Sequence, residues 1–194
     1  MTKPREHHTP GGIRFRAIEP EDLPDLKRWR NEQKKYYREY RFINTPHQED
    51  WFTGMSNDRG HMHYAIDVWD NRWLLVGSCN WSNIDWVHRH AELGIYIGDS
   101  EWRGKGVGLK AMIELHKIAF HELNMETVRL EVFSFNRAVK FYDDFGYKRV
   151  GAWRNAHFYD RDFTDSILMD MTNTEWEELW NERYSNFGKP DITK

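Results

Sequence analysis

Ile13, Phe15 and Ala17 alternate with Arg14 and Arg16, the period of a strand with one buried face. Pro20-Glu21 then opens a helical run through Leu23, Leu26 and Trp29, to about Glu32. Lys34 to Ile43 is dense in tyrosine and charge and has no readable period. Asn44-Thr45-Pro46 starts a second helix carrying Trp51, Phe52 and Met55, with proline at a tolerated early position. His63–Trp69 and Trp73–Trp81 read as paired strands around the turn Asp70-Asn71-Arg72, and Asn83-Ile84-Asp85 as a further turn. A fourth strand, His88–Ile97, leads through a glycine-rich turn into a long helix, Leu109–Leu123. Thr127–Phe133 is a fifth strand, and Ala138–Phe145 a short helix closed by Gly146. Tyr147–Trp153 and Ser166–Met171 close the pattern, before an acidic helix capped by Asn173 or Thr174. Early hairpins followed by a strand–helix–strand unit predict an α/β fold, a mixed sheet covered by helices on both faces.

The length of 194 residues fits one domain with appendages: a tail over 1–12, a domain over 13–172, and a helix and tail over 173–194. Composition narrows the function classes. The net charge of −3, without a basic block, gives nucleic-acid binding little support. A low mean hydropathy and the lack of any long apolar run argue against a membrane. A single cysteine, Cys79, excludes an internal disulfide and points to a reducing compartment. The first twelve residues lack the apolar segment of a signal peptide, so the cytoplasm is the expected location. The wealth of tryptophan leaves room for an aromatic interface in a homodimer.

The candidate chemistry lies in three segments. Arg103-Gly104-Lys105-Gly106-Val107-Gly108 is a glycine turn at the head of a helix, where exposed N–H groups and the helix dipole favour phosphate. Such turns also arise for steric reasons alone. No Gly-Lys-Ser/Thr follows, and the spacing is not that of a dinucleotide fingerprint. Upstream, Ala91, Leu93, Ile95 and Ile97 share one face of a strand, while His90, Glu92, Gly94 and Tyr96 share the other. Glu92 mid-strand is expected to be partly buried, either as a general base or as the structural partner of an Arg or His. Downstream, Asn136 precedes Tyr142 by six residues, and Tyr142 serves either as core packing or as a hydroxyl facing a leaving group. His61 with His63, and His88 with His90, share strand faces, but no spacing compels a metal site. The second pair has the parity of Glu92 and is a candidate lining for a ligand pocket. Tyr36, Tyr37, Tyr40, Trp51 and Phe52 read as an aromatic cluster, either structural or stacking on an acceptor.

Together, the Glu92 strand, the Arg103–Gly108 turn and the Asn136…Tyr142…Gly146-Tyr147 segment resemble the GNAT N-acetyltransferase superfamily in type, order and spacing. The tail from Gly146 to Gly151 and Tyr159 to Ser166 is similar to the ribosomal-protein and spermidine N-acetyltransferases. Arg28-Trp29-Arg30-Asn31 resembles enzymes acting on nucleotide-linked amino sugars. The resemblance implies a mostly antiparallel sheet of about seven strands and acetyl-CoA as co-substrate, with no metal.

It also implies roles. Backbone N–H groups from Arg103, Gly104, Lys105, Gly106, Val107 and Gly108 would hold the pyrophosphate. The pantetheine arm would run along Leu93–Ile97, with Ile95, Tyr96 and Ile97 as contacts and an N–H near Ile95 for the oxyanion. Asn136 would bind the cofactor's amide portion. Glu92 would take the amine's proton, with Glu131 and Asp67 as alternatives, and Tyr142 would protonate the CoA thiolate. The acceptor would be a small-molecule or peptide primary amine: a protein N-terminus, a polyamine or an amino sugar. A non-catalytic acyl-CoA-binding module is the alternative from another class.

Overall fold

Strand β1 (Ile13–Arg16) opens a chain whose computed structural model describes residues 11–39, 41–55 and 58–187. Most of the expected tail therefore lies outside the described residues. Gly11 and Gly12 do not behave as tail: Gly11 N–H donates to Trp69 O, and Trp69 N–H to Gly12 O. Helices α1 (Leu23–Glu32) and α2 (Thr45–Met55) follow, then strands β2 (Met62–Trp69), β3 (Trp73–Asp85) and β4 (His90–Ile97). Helix α3 (Val107–His116) runs on into a wider π-type turn, Lys117–Glu122. Strand β5 (Thr127–Phe133), helix α4 (Ala138–Phe145), strands β6 (Lys148–Tyr159) and β7 (Asp162–Thr172) and helix α5 (Asn173–Leu179) complete the order.

The seven strands hydrogen-bond in the order β1-β2-β3-β4-β5-β7-β6. β1–β2, β2–β3, β5–β7 and β6–β7 are antiparallel. β4 and β5 are parallel, His90–Glu92 in register with Thr127–Arg129, a pairing that requires a crossover such as the one α3 supplies. The mixed α/β sheet expected from the pattern is observed, and so is the mostly antiparallel, seven-stranded character that the resemblance implied.

Contacts cluster into two units, one of residues 1–84 and 93–112, the other of 85–92 and 113–194. In the first, Leu26 and Trp29 of α1 sit in a core with Ile18, Leu23 and Ala65, and Trp51, Phe52 and Met55 of α2 pack against it. The second is centred on aromatic rings. The His116 ring lies 4.9 Å from Phe145, 5.2 Å from Trp176 and 5.5 Å from Tyr147, centre to centre. Val139, Tyr142 and Phe145 recur at helical spacing on α4 and are its buried face.

Several boundaries differ from the sequence reading. β3 continues through Asn83-Ile84-Asp85, because Asn83 absorbs a left-handed conformation (φ 49°) without ending the strand. β6 and β7 each extend well into the segment between the two expected strands. They meet at Asp160-Arg161, both with positive φ (51° and 67°), the geometry of a primed hairpin turn made without glycine. The cap of α5 is Thr172, not Asn173 or Thr174: its hydroxyl accepts from Glu175 N–H, and Glu175 accepts from Thr172 N–H, a reciprocal box.

Candidate active site

The glycine turn is anchored before it begins. Gly98 and Asp99 N–H groups both donate to Val76 O of β3. Gly98 abuts the Trp29 indole so closely that a Cβ there would stand 2.1 Å from the ring. The Arg103 side chain is turned back on its own loop: Nε donates to Ile97 O (2.9 Å) and Nη2 to Gly98 O (2.5 Å). Lys105 lies over the Trp102 ring, 4.9 Å from its centre.

Gly104 and Gly106 take φ of 72° and 78°, and a Cβ at either would meet nothing within 4 Å. Backbone conformation, not crowding, is thus what selects glycine at both positions. α3 begins at Val107, two residues earlier than expected. Gly108 therefore lies inside its first turn, where N–H groups have no partner within the helix. Exposed backbone donors at a helix start form a cradle for an anion of pyrophosphate type.

In the second unit, Tyr142 is buried (8% exposed) on α4, with its ring centre 5.9 Å from that of Tyr147. Tyr147 is buried too, and its hydroxyl lies 2.8 Å from His116 Nε2. Burial pushes the Tyr147 phenol well up, with Tyr142 and Asp170 adding to it, so it remains neutral. Asn136 holds the start of α4: Oδ1 accepts from Ala138 N–H at 2.9 Å. Its amide nitrogen is the end suited to donate to a ligand.

Glu92 is exposed, not half-buried as its mid-strand position implied, and pairs in register with the exposed Arg129. Of the alternatives, Glu131 is exposed, and Asp67 is buried as the partner of two arginines: Oδ2 takes Arg14 Nη2 at 2.8 Å and Arg16 Nε at 2.9 Å.

A cavity of about 320 Å³ lies within the first unit, between α1, α2 and the strands β2 to β4. Trp51 and Phe42 supply its aromatic wall; Ser78 and Asn80 supply uncharged polar groups. Asn31 fixes the segment over it, donating Nδ2 to Ile43 O (2.9 Å) and accepting Ile43 N–H on Oδ1 (2.8 Å). Gly94 faces this cavity's Asn80: a Cβ there would come within 2.3 Å of the amide oxygen.

The histidine lining it is not the pair expected. His47 and His63 line the cavity, whereas His88 and His90 do not; His90 Nε2 is 3.8 Å from Asp85. Burial, then His61 and Arg30, push the His63 imidazole down despite an opposing pull from Asp58, so it is neutral near pH 7. Of the expected aromatic cluster, Tyr40 lies outside the described residues, and Trp51 both lines the cavity and packs on the core. Glu39, Arg41, Phe42, Gln48, Ser78 and Asn80 went unnoticed because they come from separate parts of the chain and form no motif.

Comparison with known proteins bears on what this geometry serves. The sequence profile of the acetyltransferase (GNAT) domain matches residues 13–141. The chain belongs to the GNAT acetyltransferase family. GNAT members similar to it include the SPbeta prophage-derived uncharacterized N-acetyltransferase YokL of Bacillus subtilis. That relative is 23% identical over 167 residues, covering 85% of this chain and 92% of its own. Among solved structures, spermidine N-acetyltransferase from Vibrio cholerae in complex with CoA and spermine superposes with a TM-score of 0.78. It is 22% identical and covers 85% of this chain and 98% of its own. A dodecameric structure of the Vibrio enzyme gives a TM-score of 0.73 at 22% identity, over 84% and 95% of the two chains. At such identity these structures share the GNAT fold with this chain. Among the described residues no group of three His, Cys, Asp or Glu side chains is placed to hold a metal ion. Nor is any helix among them long and apolar enough to cross a membrane.

Proposed function

We propose that this GNAT enzyme transfers the acetyl group of acetyl-CoA to a primary amine. The observation that carries the reading is the turn at Gly104–Gly108, whose two left-handed glycines open the head of α3 with nothing crowding them. The N–H groups of this turn hold the pyrophosphate, and Arg103 keeps the loop in shape by its bonds to Ile97 and Gly98 carbonyls. The pantetheine arm lies beside Ile95, Tyr96 and Ile97, beyond the stretch of β4 in register with β5, as an added strand would. Asn136 donates its amide N–H to the cofactor.

Amines are ammonium ions near neutral pH and must lose a proton before attack. In this reading Glu92 accepts that proton, directly or through water, which suits an exposed carboxylate. The amine nitrogen bonds to the thioester carbon while the Ile95 N–H stabilises the oxyanion. The C–S bond then breaks and Tyr142 gives its proton to the departing thiolate. A cytoplasmic setting accords with the lone, buried Cys79. Assembly into a homodimer or a larger oligomer stays part of the proposal.

Mass-spectrometric detection of acetylated products across an amine library, with CoA as competitor, tests the reading. Transfer to at least one amine, inhibited by CoA, is expected. CoA binding with no transfer to any amine would leave a binding module instead.

A further inference from the structure

Charge is the informative property of the cavity between α1 and α2. Its one carboxylate among the described residues is Glu39, and Arg41 clamps it with Nε on Oε1 and Nη2 on Oε2, both at 3.1 Å. These bonds, with one from Arg41 N–H, hold the Glu39 carboxyl down to about 2. It is ionised but already matched by a cation. Among the described residues Arg30 has no such partner. Its guanidinium sits 4.1 Å from the Tyr37 ring centre, and its Nε is buried without a hydrogen bond. The stacking holds the group in place but does not neutralise it. Burial pushes Tyr37 up to about 12, against the pull of Arg30 and Arg103, so Tyr37 is neutral. Burial likewise pushes Tyr96 up, and His63 is neutral near pH 7. The cavity, which Ser78 and Asn80 also line, therefore presents a positive charge held over Tyr37 and unmatched by a carboxylate among the described lining residues.

We infer that this cavity takes an amine acceptor bearing an anionic group, a carboxylate or a phosphate, with Arg30 as the residue that binds the anion. This rests on the acetyltransferase reading and narrows its substrate class. A guanidinium fork matches either oxyanion in bidentate fashion, and such pairs are stronger than neutral hydrogen bonds. A polyamine carries only positive charge and meets an unmatched like charge here, with no uncommitted carboxylate among the described lining residues to offset it. The similar Vibrio protein is a spermidine N-acetyltransferase, so on this assignment the two proteins differ in acceptor class at a shared fold.

The test uses matched pairs on the full chain, first by calorimetric binding without acetyl-CoA, then by turnover. One pair is an α-amino acid and its decarboxylated amine, the other a hexosamine 6-phosphate and the free hexosamine; spermidine and spermine form a cationic arm. In at least one pair, the member bearing the carboxylate or phosphate is expected to bind about 10- to 100-fold tighter than the counterpart lacking it. Which pair does so tells carboxylate from phosphate. Arg30→Met, which keeps a long stem over Tyr37, should abolish that preference. Arg30→Lys should restore part of it, and CoA affinity should stay unchanged in both. Equal binding within both pairs, or polyamines binding best, overturns the assignment whether or not acetyl groups are transferred. Anion-preferring binding without transfer leaves the assignment standing and removes the enzymatic reading.

Discussion

Tyr142 and Tyr147 are five residues apart and buried in the same unit, yet chemistry separates them. Tyr147 is committed: its hydroxyl lies 2.8 Å from His116 Nε2 inside an aromatic core. Tyr142 projects from the buried face of α4 and is the hydroxyl assigned to the thiolate. Tyr142→Phe should lower kcat about 10²-fold, the low end for loss of a general acid, with the acetyl-CoA dissociation constant unchanged. Stopped-time transfer assays with calorimetry on the same variant check this, and unchanged turnover removes Tyr142 from the reaction. Tyr147→Phe should keep activity but strand a buried imidazole nitrogen, costing about 1 to 3 kcal/mol in denaturant unfolding. A loss of rate without loss of stability in this variant would exchange the two roles.

At the scale of elements, the glycines divide by what surrounds them. Gly106 has open space and a φ of 78°, so alanine there clashes with nothing but strains the backbone by about 1 kcal/mol and turns the N–H array. Gly106→Ala should raise the KM for acetyl-CoA about tenfold and leave thermal stability nearly intact. Gly98→Ala should instead disrupt folding, because its Cβ would enter the Trp29 indole at 2.1 Å. A thermal-shift assay beside a KM measurement separates the two outcomes. A sequence cannot make this distinction, since neither the φ of Gly106 nor the approach of Trp29 to Gly98 is written in local spacing. The turn, its helix and the order of strands were legible because they rest on local spacing. The burial of Glu92 was misjudged because parity assigns a face, and whether that face is covered depends on distant segments. The cavity was illegible for a related reason. Its wall is closed by a side chain, Asn31, binding the backbone of Ile43 twelve residues on. The hairpin of β6 and β7 was cut short because Asp160-Arg161 lacks the glycine that usually marks a primed turn.

Over the whole molecule, acid should act on stability through one buried carboxylate, Asp22. Asp22 and Asp67 are 6% and 1% exposed, and both are gathered by Arg16. Arg16 Nη1 and Nη2 reach the two Asp22 oxygens at 2.6 and 2.8 Å, and Nε reaches Asp67 Oδ2 at 2.9 Å. This cluster ties β1 to the entry of α1 and to β2, where a bulge at Ile66/Asp67 interrupts the register. Burial alone would push the Asp22 carboxyl up, but the Arg16 bonds and the Glu19 N–H outweigh it and hold it below the usual carboxylate range. A carboxyl with a depressed folded-state pKa contributes stability above the unfolded value, about 4. That contribution fades as pH falls through the lower folded value. Asp22→Asn removes the charge at every pH, so its penalty should be largest at pH 7. There, loss of a buried bidentate pair is expected to cost about 3 kcal/mol. Below about pH 4 the gap between variant and wild type should narrow, because the wild-type carboxyl is then protonating as well. Urea unfolding at pH 7, 5, 4 and 3 measures that convergence. Parallel curves at all four values would mean that Asp22 acts through packing or neutral hydrogen bonding, and that the acid response of the fold originates elsewhere.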